Sequence, residues 1–144
     1  PPACELVGPR RVLDLVAALG PTRLGHVVRT CDDPAQLGSV VAAGISLEVC
    51  PASNVCLGVY RTPDDVPLTT LLEHGAQVAH GADDPLLFQT RLTDQYELAR
   101  RLGLDDDALA ELARGSIRAS LASQSSKQTW LAEIDAWLVA PDPA

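Results

Sequence analysis

The feature that most constrains the fold is an alternation of short apolar segments with amphipathic helical patterns. The segments at 23–28, 45–50 and 78–82 have the length and apolar content of buried strands, and another opens the chain at 3–5. Helices between consecutive strands are typical of a parallel sheet with the helices packed outside it. The sequence therefore predicts an α/β fold with about four parallel strands, followed after Pro85 by helices alone.

Start and stop signals mark the helices. Asp33 followed by Pro34 is typical of a helix N-terminus, because the aspartate can accept from the free amides of the first turn. Trp130 and Trp137 lie seven residues apart on the last helix, so we expect both to pack in the core. Segment 54–67 has no helical pattern and predicts a long loop. The predicted helices run over 10–19, from 34 to 44, and over 68–72, 94–102, 105–122 and 126–138, before a disordered tail at 141–144.

Polar groups follow each predicted strand. Asp83 and Asp84 come directly after the segment at 78–82, and Pro85 favours a turn there because it cannot join a ladder. Since neighbouring side chains of a strand point to opposite faces, the two carboxylates can act together only if the backbone turns. Asp-Asp-Pro by itself is also typical of a turn or a helix cap. The other strand ends carry Ala3-Cys4-Glu5, Leu24-Gly25-His26 and Glu48-Val49-Cys50-Pro51-Ala52-Ser53-Asn54.

In this order the four motifs resemble those of the adenosine deaminase family of zinc-dependent hydrolases, and the resemblance extends from about Ala3 to about Leu138. It implies a (β/α)8 barrel, in which catalytic groups collect at the carboxyl ends of the strands. Four strands are too few to close such a barrel, which needs eight. We therefore expect residues 1–140 to form the C-terminal half of a barrel with its C-terminal helices, as part of a longer protein.

The resemblance implies a role for each strand-end residue. Asp83 would be the aspartate ligand of a zinc ion, which provides hydroxide at neutral pH by lowering the pKa of its bound water. His26 would orient that hydroxide, and Glu5 would protonate the purine ring as a carboxylic acid. Asp84 would form a hydrogen bond at purine N7. Cys4 stands where the family has a glycine whose backbone approaches the purine.

Three positions depart from the family pattern. Pro2 stands where the family has a zinc-binding histidine, and proline has no lone pair to give a metal. Cys4 and Val27 each stand where the family has a glycine. The first His-x-His pair of the family has no counterpart in this sequence, so Asp83 is the one family zinc ligand present. We therefore expect Zn²⁺ to be the cofactor of the family without being retained by this chain alone.

The two other histidines have structural explanations. His74 precedes the helix-ending Gly75, and we interpret it as a residue of the helix C-terminus. His80 lies in the strand before Asp83, where a histidine buried in the core is a better explanation than a new ligand.

The composition excludes some classes of partner. A formal charge of −8, from 11 basic and 19 acidic side chains, repels phosphate backbones and anionic lipid, so we expect neither nucleic-acid nor membrane binding. No apolar run has the length of a membrane span, and we expect a cytoplasmic protein. Cys50 and Cys56 do not form the P-C-x-x-C pair of the cytidine-type deaminases. With Cys4 and Cys31, they are predicted to be reduced thiols.

A half-barrel would need partners. Its open strand edges, at 3–5 and 78–82, carry backbone groups that cannot stay buried without hydrogen bonds. One face of its sheet would also be open to solvent. We therefore expect the chain to pair with the missing N-terminal half of the barrel, to pair with a second copy of itself, or to be loosely packed and aggregate. The apolar residues expected on the open face are Leu24, Leu47, Val49 and Val78.

Two functions remain open at this point. The first is the C-terminal portion of an adenosine deaminase-like hydrolase, which would convert adenosine or a related aminopurine into inosine or its analogue and ammonia. The second is a non-catalytic relative in which the barrel serves as a binding or structural unit. Glu5, His26 and the paired aspartates favour the first, whereas Pro2 and Cys4 favour the second.

Overall fold

The sheet is parallel and has three strands in the order β1-β2-β3. A computed structural model describes residues 10–140, with side chains from residue 12 onward. The predicted strand at 3–5 and the tail at 141–144 therefore lie outside the described residues. The strands are β1 (Arg23–Gly25), β2 (Ser46–Val49) and β3 (Val78–His80). The predicted α/β class with parallel strands is confirmed for this part of the chain.

Seven helices accompany the sheet in the described part of the chain. Short 3-10 turns also occur at Val28–Asp32 and Pro63–Asp65. Apart from α3, the helices are those predicted from sequence, with ends that differ by a few residues. The helices are α1 (Arg10–Leu19), α2 (Pro34–Ala42), α3 (Pro51–Cys56), α4 (Leu68–Glu73), α5 (Leu92–Arg101), α6 (Asp106–Ala119) and α7 (Gln124–Val139).

The predicted loop at 54–67 was wrong over its first three residues, because they belong to α3, which begins at Pro51 and ends at Cys56. The amide of Asn54 donates to the Cys50 carbonyl at 2.9 Å, which closes a helical turn directly after β2. The start of α2, by contrast, is the one predicted. Asp33 accepts hydrogen bonds from the amides at positions 35 and 36, and Pro34 occupies the first turn.

The apolar residues expected on an open sheet face are instead buried. Leu24, Leu47 and Val49 are 0% exposed and Val78 is 2% exposed. The strand register places Leu24, Leu47 and Val78 side by side, and they share one core with side chains of α2 and α4. The prediction was wrong because these residues point toward the helix layer. The opposite face carries residues such as Glu48, which is half-buried.

Helix α6 lies along the edge of β3 that faces away from β2. In a parallel pair, only every second residue of a strand forms hydrogen bonds with a given neighbouring strand. Gln77 and Gly81 form such bonds with β2, so the amide and carbonyl groups of Val78 and His80 point to the outer edge. The His80 amide donates to Ser116 Oγ at 3.0 Å. A β-carbon at Gly115 would lie only 2.3 Å from the Val78 carbonyl oxygen, so the α6 backbone touches the strand. The edge predicted to be open at 78–82 is therefore covered by a helix.

The two tryptophans do not pack in the core as predicted. Trp130 is 43% exposed and Trp137 is 51% exposed, because α7 packs against α6 and lies outside the sheet. With Ile134 they line an apolar groove of about 660 Å³ between α5, α6 and α7.

Within residues 10–140, no helix combines the length and the apolar character that crossing a bilayer requires. Cys31, Cys50 and Cys56 are reduced thiols that form no disulfide. Partial burial, with the negative charge of Asp32 nearby, raises the pKa of Cys31 to about 11, so this thiol stays protonated.

Candidate functional site

Strands β1 and β3 are each followed by a non-glycine residue with a left-handed backbone. His26 and Asp83 both have φ of +59°. This conformation is uncommon for residues with a β-carbon and costs on the order of 1 kcal/mol or more, and it concentrates at functional sites. At His26 it takes the chain out of the ladder, so β1 ends at Gly25 rather than at 28 as predicted. At Asp83 it produces the backbone turn that the paired carboxylates were predicted to need.

The structure brings His26 and Asp83 together. His26 Nε2 lies 3.7 Å from Asp83 Oδ2, although β2 separates the strands that carry the two residues. Both side chains keep access to solvent, with 20% of His26 and 29% of Asp83 exposed. An imidazole and a carboxylate at this separation can exchange a proton, share a hydrogen-bonded water or bind one cation.

Ser53 fixes one oxygen of Asp83. Its hydroxyl donates to Asp83 Oδ2 at 2.7 Å, and its side chain is 0% exposed. Helix α3 places it there, because Pro51 begins the helix immediately after β2 and directs the next turn toward the end of β3. Ser53 belongs to the strand-end motif at 48–54, and its residue type alone indicated no role there. The available signal was a hydroxyl side chain two residues after the proline that begins α3, in a chain that also carries an Asp-Asp pair after the next strand.

Asp84 has different hydrogen-bond partners from Asp83. Asp84 is exposed, and its Oδ1 accepts hydrogen bonds from the amides of Leu86 and Leu87, both at 2.9 Å. These bonds close the turn that begins at Pro85, which is the role typical of an Asp-Asp-Pro turn. The contact of Asp84 with purine N7 stays a prediction.

The structure gives the remaining histidines the positions expected of them. His80 is 5% exposed, with Nε2 3.1 Å from the Gln95 carbonyl oxygen and its ring edge-on to Tyr96 at 5.3 Å. Burial lowers the pKa of His80, so this histidine is neutral at pH 7. His74 caps the end of α4, where its Nδ1 lies 2.8 Å from the Thr70 carbonyl oxygen.

An ion pair lies on the opposite sheet face from the helix core. Arg23 Nε and Glu48 Oε1 are 2.8 Å apart, and both side chains are more than a third exposed. Arg23 also donates to the carbonyl oxygen of Ala119 at the end of α6, at 3.2 Å. This pair joins β1, β2 and α6.

Glu5 and Cys4 lie outside the described residues, so their distances to this site stay predictions. Within the described side chains, no group of three or more His, Cys, Asp and Glu residues could hold a metal ion. His26 and Asp83 bring one imidazole and one carboxylate, which are donor types that zinc accepts. Zinc sites use about four ligands, so the described residues do not complete one.

Comparison with known proteins identifies relatives along nearly the whole chain. The sequence model of the adenosine deaminase family matches residues 1–137. A protein of Streptomyces coelicolor named "putative adenosine/adenine deaminase" is 52% identical over 137 residues, which cover 94% of this chain and 40% of the relative. The chain thus spans well under half the length of this curated relative.

Solved structures share the fold. The crystal structure of an adenine deaminase from Arthrobacter aurescens matches with a TM-score of 0.90 and 32% identity, over 96% of this chain and 42% of that one. An amidohydrolase from Burkholderia ambifaria, crystallised with bound zinc, matches with a TM-score of 0.80 over 94% of this chain and 39% of that one. Its identity is 22%, so this second likeness concerns the fold alone.

These matches confirm the resemblance inferred from the four strand-end motifs. The family match covers all four of them, and it ends within α7. From the match over residues 1–137 and the agreement of the fold, we conclude that the chain belongs to the adenosine deaminase family.

Proposed function

We propose that this chain is the C-terminal part of a hydrolase that deaminates adenosine, adenine or a related aminopurine. The observation that carries the proposal is the placement of Asp83 Oδ2 within 3.7 Å of His26 Nε2, with Ser53 donating to the same oxygen. Two family site residues that are 57 positions apart in sequence thus meet at the ends of non-adjacent strands. The left-handed backbone at both residues supports a functional reason for the arrangement.

Each side chain has a part in the proposed reaction. His26 holds the attacking water through Nε2 and takes or returns its proton, the acid–base role that histidine most often has in catalysis. Asp83 accepts the Ser53 hydroxyl with one oxygen and keeps its other oxygen for the reacting centre. Glu5 protonates the ring nitrogen, which makes the amino-bearing carbon electrophilic. Asp84 orients the purine through N7, from the turn that follows β3.

The carboxylate of Asp83 is a type of ligand that zinc accepts. When bound, zinc lowers the pKa of a bound water to about 7 and so provides hydroxide at neutral pH. Asp83 would be one ligand, and the remaining ligands would come from outside residues 10–140. Ser53 would orient the ligating carboxylate, a common arrangement around metal sites.

The alternative proposal is a binding or structural unit without catalysis. Two observations favour it: Asp84 already caps the turn at 86 and 87, and Pro2 stands in place of a zinc-binding histidine. Activity of the complete polypeptide that contains these 144 residues distinguishes the two functions, because the alternative expects no deamination.

The test is ammonia release from adenosine and from adenine by that complete polypeptide. We expect Asp83→Ala and His26→Ala each to lower kcat/KM on the order of 10³-fold or more, since both remove groups at the reacting centre. His74→Ala is the matched control, because His74 is an exposed histidine that caps α4. Deamination that survives both site variants would contradict the proposal.

Residues 1–144 alone are expected to be inactive. One carboxylate and one imidazole hold zinc too weakly at ordinary concentrations. We propose that the missing N-terminal half of the barrel, or a second copy, completes the sheet. Zinc-dependent consumption of adenosine by the purified 144-residue chain, measured by ultraviolet absorbance, would overturn this expectation.

A further inference from the structure

Gln95, on α5, joins three segments that meet behind the site. Its side chain is fully packed, with the residue 2% exposed. Its Oε1 accepts from the Ala52 amide at 3.2 Å, and its Nε2 donates to Thr90 Oγ1 at 2.7 Å. Its backbone carbonyl lies 3.1 Å from Nε2 of His80 in β3. One residue thus contacts α3, β3 and the segment that follows the paired aspartates.

The contact with Ala52 caps the N-terminus of α3 with a side chain that lies 43 residues further along the chain. The first amides of a helix have no partner within the helix and need an acceptor from elsewhere. Cys50, at the N-cap position, provides no side-chain acceptor, and Pro51 has no amide. The Ala52 amide is therefore the first to need an acceptor, and it finds one 43 residues further along the chain.

This cap lies one residue from the serine that holds Asp83. Ser53 follows Ala52 directly, and its hydroxyl donates to Asp83 Oδ2 at 2.7 Å. A movement of the first turn of α3 would change that distance and the direction of the carboxylate. Gln95 is therefore connected to the Asp83 carboxylate through Ala52 and Ser53.

We propose that Gln95 is a positioning residue, which fixes the first turn of α3 so that Ser53 orients the Asp83 carboxylate. The inference rests on the proposed function for its effect on catalysis. Gln95 touches neither substrate nor metal, and it acts through Ser53. Removing its amide should therefore change turnover more than substrate binding.

The central experiment is a double-mutant cycle in the complete polypeptide. Gln95→Met keeps the length of the side chain and removes both hydrogen bonds. We expect it to lower kcat on the order of tenfold with little change in KM, the size of effect seen when partners of a site residue are removed. In a Ser53→Ala background the same change should cost less than about twofold, because its route to Asp83 is already lost. Equal losses in both backgrounds would overturn the proposal.

Two further variants separate positioning from folding. Gln95→Glu keeps an acceptor for the Ala52 amide, so we expect it to retain more turnover than Gln95→Met. Gln36→Met is the matched control, because Gln36 is also a buried glutamine and its amide group bonds Asp33 rather than α3. If Gln95→Met does not fold, Thr90→Val replaces it in the cycle, since it removes the acceptor that holds the Gln95 amide. Loss of kcat in Gln36→Met equal to that in the Gln95 variant would overturn the proposal.

Amide hydrogen exchange tests the link independently of activity. We expect faster exchange at Ala52 and Ser53 in Gln95→Met and unchanged exchange there in Gln36→Met. If the complete unsubstituted polypeptide releases no ammonia from any aminopurine, the proposed function fails, and the exchange result still decides whether Gln95 holds α3. Unchanged exchange at Ala52 in Gln95→Met would overturn the inference even in an active enzyme.

Discussion

Helices α6 and α7 are neighbours in sequence and similar in length, yet they have different relations to the sheet. In α6, Leu112 is 0% exposed and Leu109 is 6% exposed. None of the residues of α7 is buried, and its two tryptophans are about half exposed. In α6 the apolar residues lie on one face of the helix, whereas in α7 they are distributed around it.

The size of the residues at the contact explains how closely α6 approaches the sheet. Where α6 meets β3 it presents Gly115 and Ser116, which let the two backbones touch and give the His80 amide an acceptor. The apolar residues of α7 include Trp130 and Trp137, which line the groove between α5, α6 and α7. The comparison teaches that one distinct apolar face and small residues at the contact together bring a helix to the core.

The largest expected effect comes from truncating the α6 core. Leu112→Ala should lower the free energy of unfolding by about 3 kcal/mol, since it removes a fully buried side chain and leaves a cavity. Urea denaturation followed by far-ultraviolet circular dichroism measures the change. Leu121→Ala is the control, because Leu121 is 93% exposed between the two helices and should change stability by less than about 0.5 kcal/mol. Equal effects would contradict the assignment of α6 to the core.

The next largest effect on the free energy of unfolding tests the close approach of α6 to β3. Whether a glycine-to-alanine substitution destabilises or stabilises shows if the added β-carbon meets the strand. Gly115→Ala should destabilise by about 2 kcal/mol, because its β-carbon would meet the Val78 carbonyl oxygen at 2.3 Å and the helix must shift. Gly38→Ala on α2 should stabilise by about 0.5–1 kcal/mol, since nothing lies within 4 Å and alanine favours helix. The same denaturation experiment applies to both. Stabilisation by both substitutions would show that α6 does not touch the strand.

Local signals in the sequence predicted most of the secondary structure. Asp33 with Pro34 indicated the start of α2 because the cap is made by neighbours in sequence. The start of α3 escaped prediction because the cap of Ala52 comes from Gln95, 43 residues away. Likewise, the positive φ of His26, which ends β1 early, depends on the surrounding fold rather than on local propensity.

The closeness of His26 and Asp83 could be expected from sequence, because polar groups at strand ends meet at one edge of a parallel sheet. Their roles come from the family resemblance and stay predictions. Their hydrogen-bond partners could not be expected, since a serine or a glutamine has no distinctive sequence signal until the fold brings it close. The assignment of Trp130 and Trp137 to the core failed because periodicity defines an apolar face without defining what covers it.

Acid should destabilise the fold through the buried His80 side chain, which packs against Gln95 and Tyr96 of α5. Burial lowers the pKa of His80 in the folded state, so the unfolded chain binds the proton more readily as pH falls through about 6.5. The free energy of unfolding should therefore be constant above about pH 7 and fall below pH 6.5, by at most about 1.4 kcal/mol per pH unit from this group. His80→Gln should reduce the slope, and His74→Gln, at an exposed cap, should leave it unchanged. A slope that persists in His80→Gln would assign the acid sensitivity to other groups.

The smallest expected effect comes from α7. Trp137→Ala should lower the free energy of unfolding by about 1 kcal/mol, less than a fully buried aromatic residue, because Trp137 is 51% exposed. Trp130 and Trp137 are the two tryptophans of the sequence, so intrinsic fluorescence reports on α7, whereas circular dichroism reports on all helices. We expect the fluorescence transition in urea to precede the circular dichroism transition, since α7 makes no buried contact with the sheet. Coincident transitions, together with a loss in Trp137→Ala as large as that in Leu112→Ala, would show that α7 folds as one unit with α6.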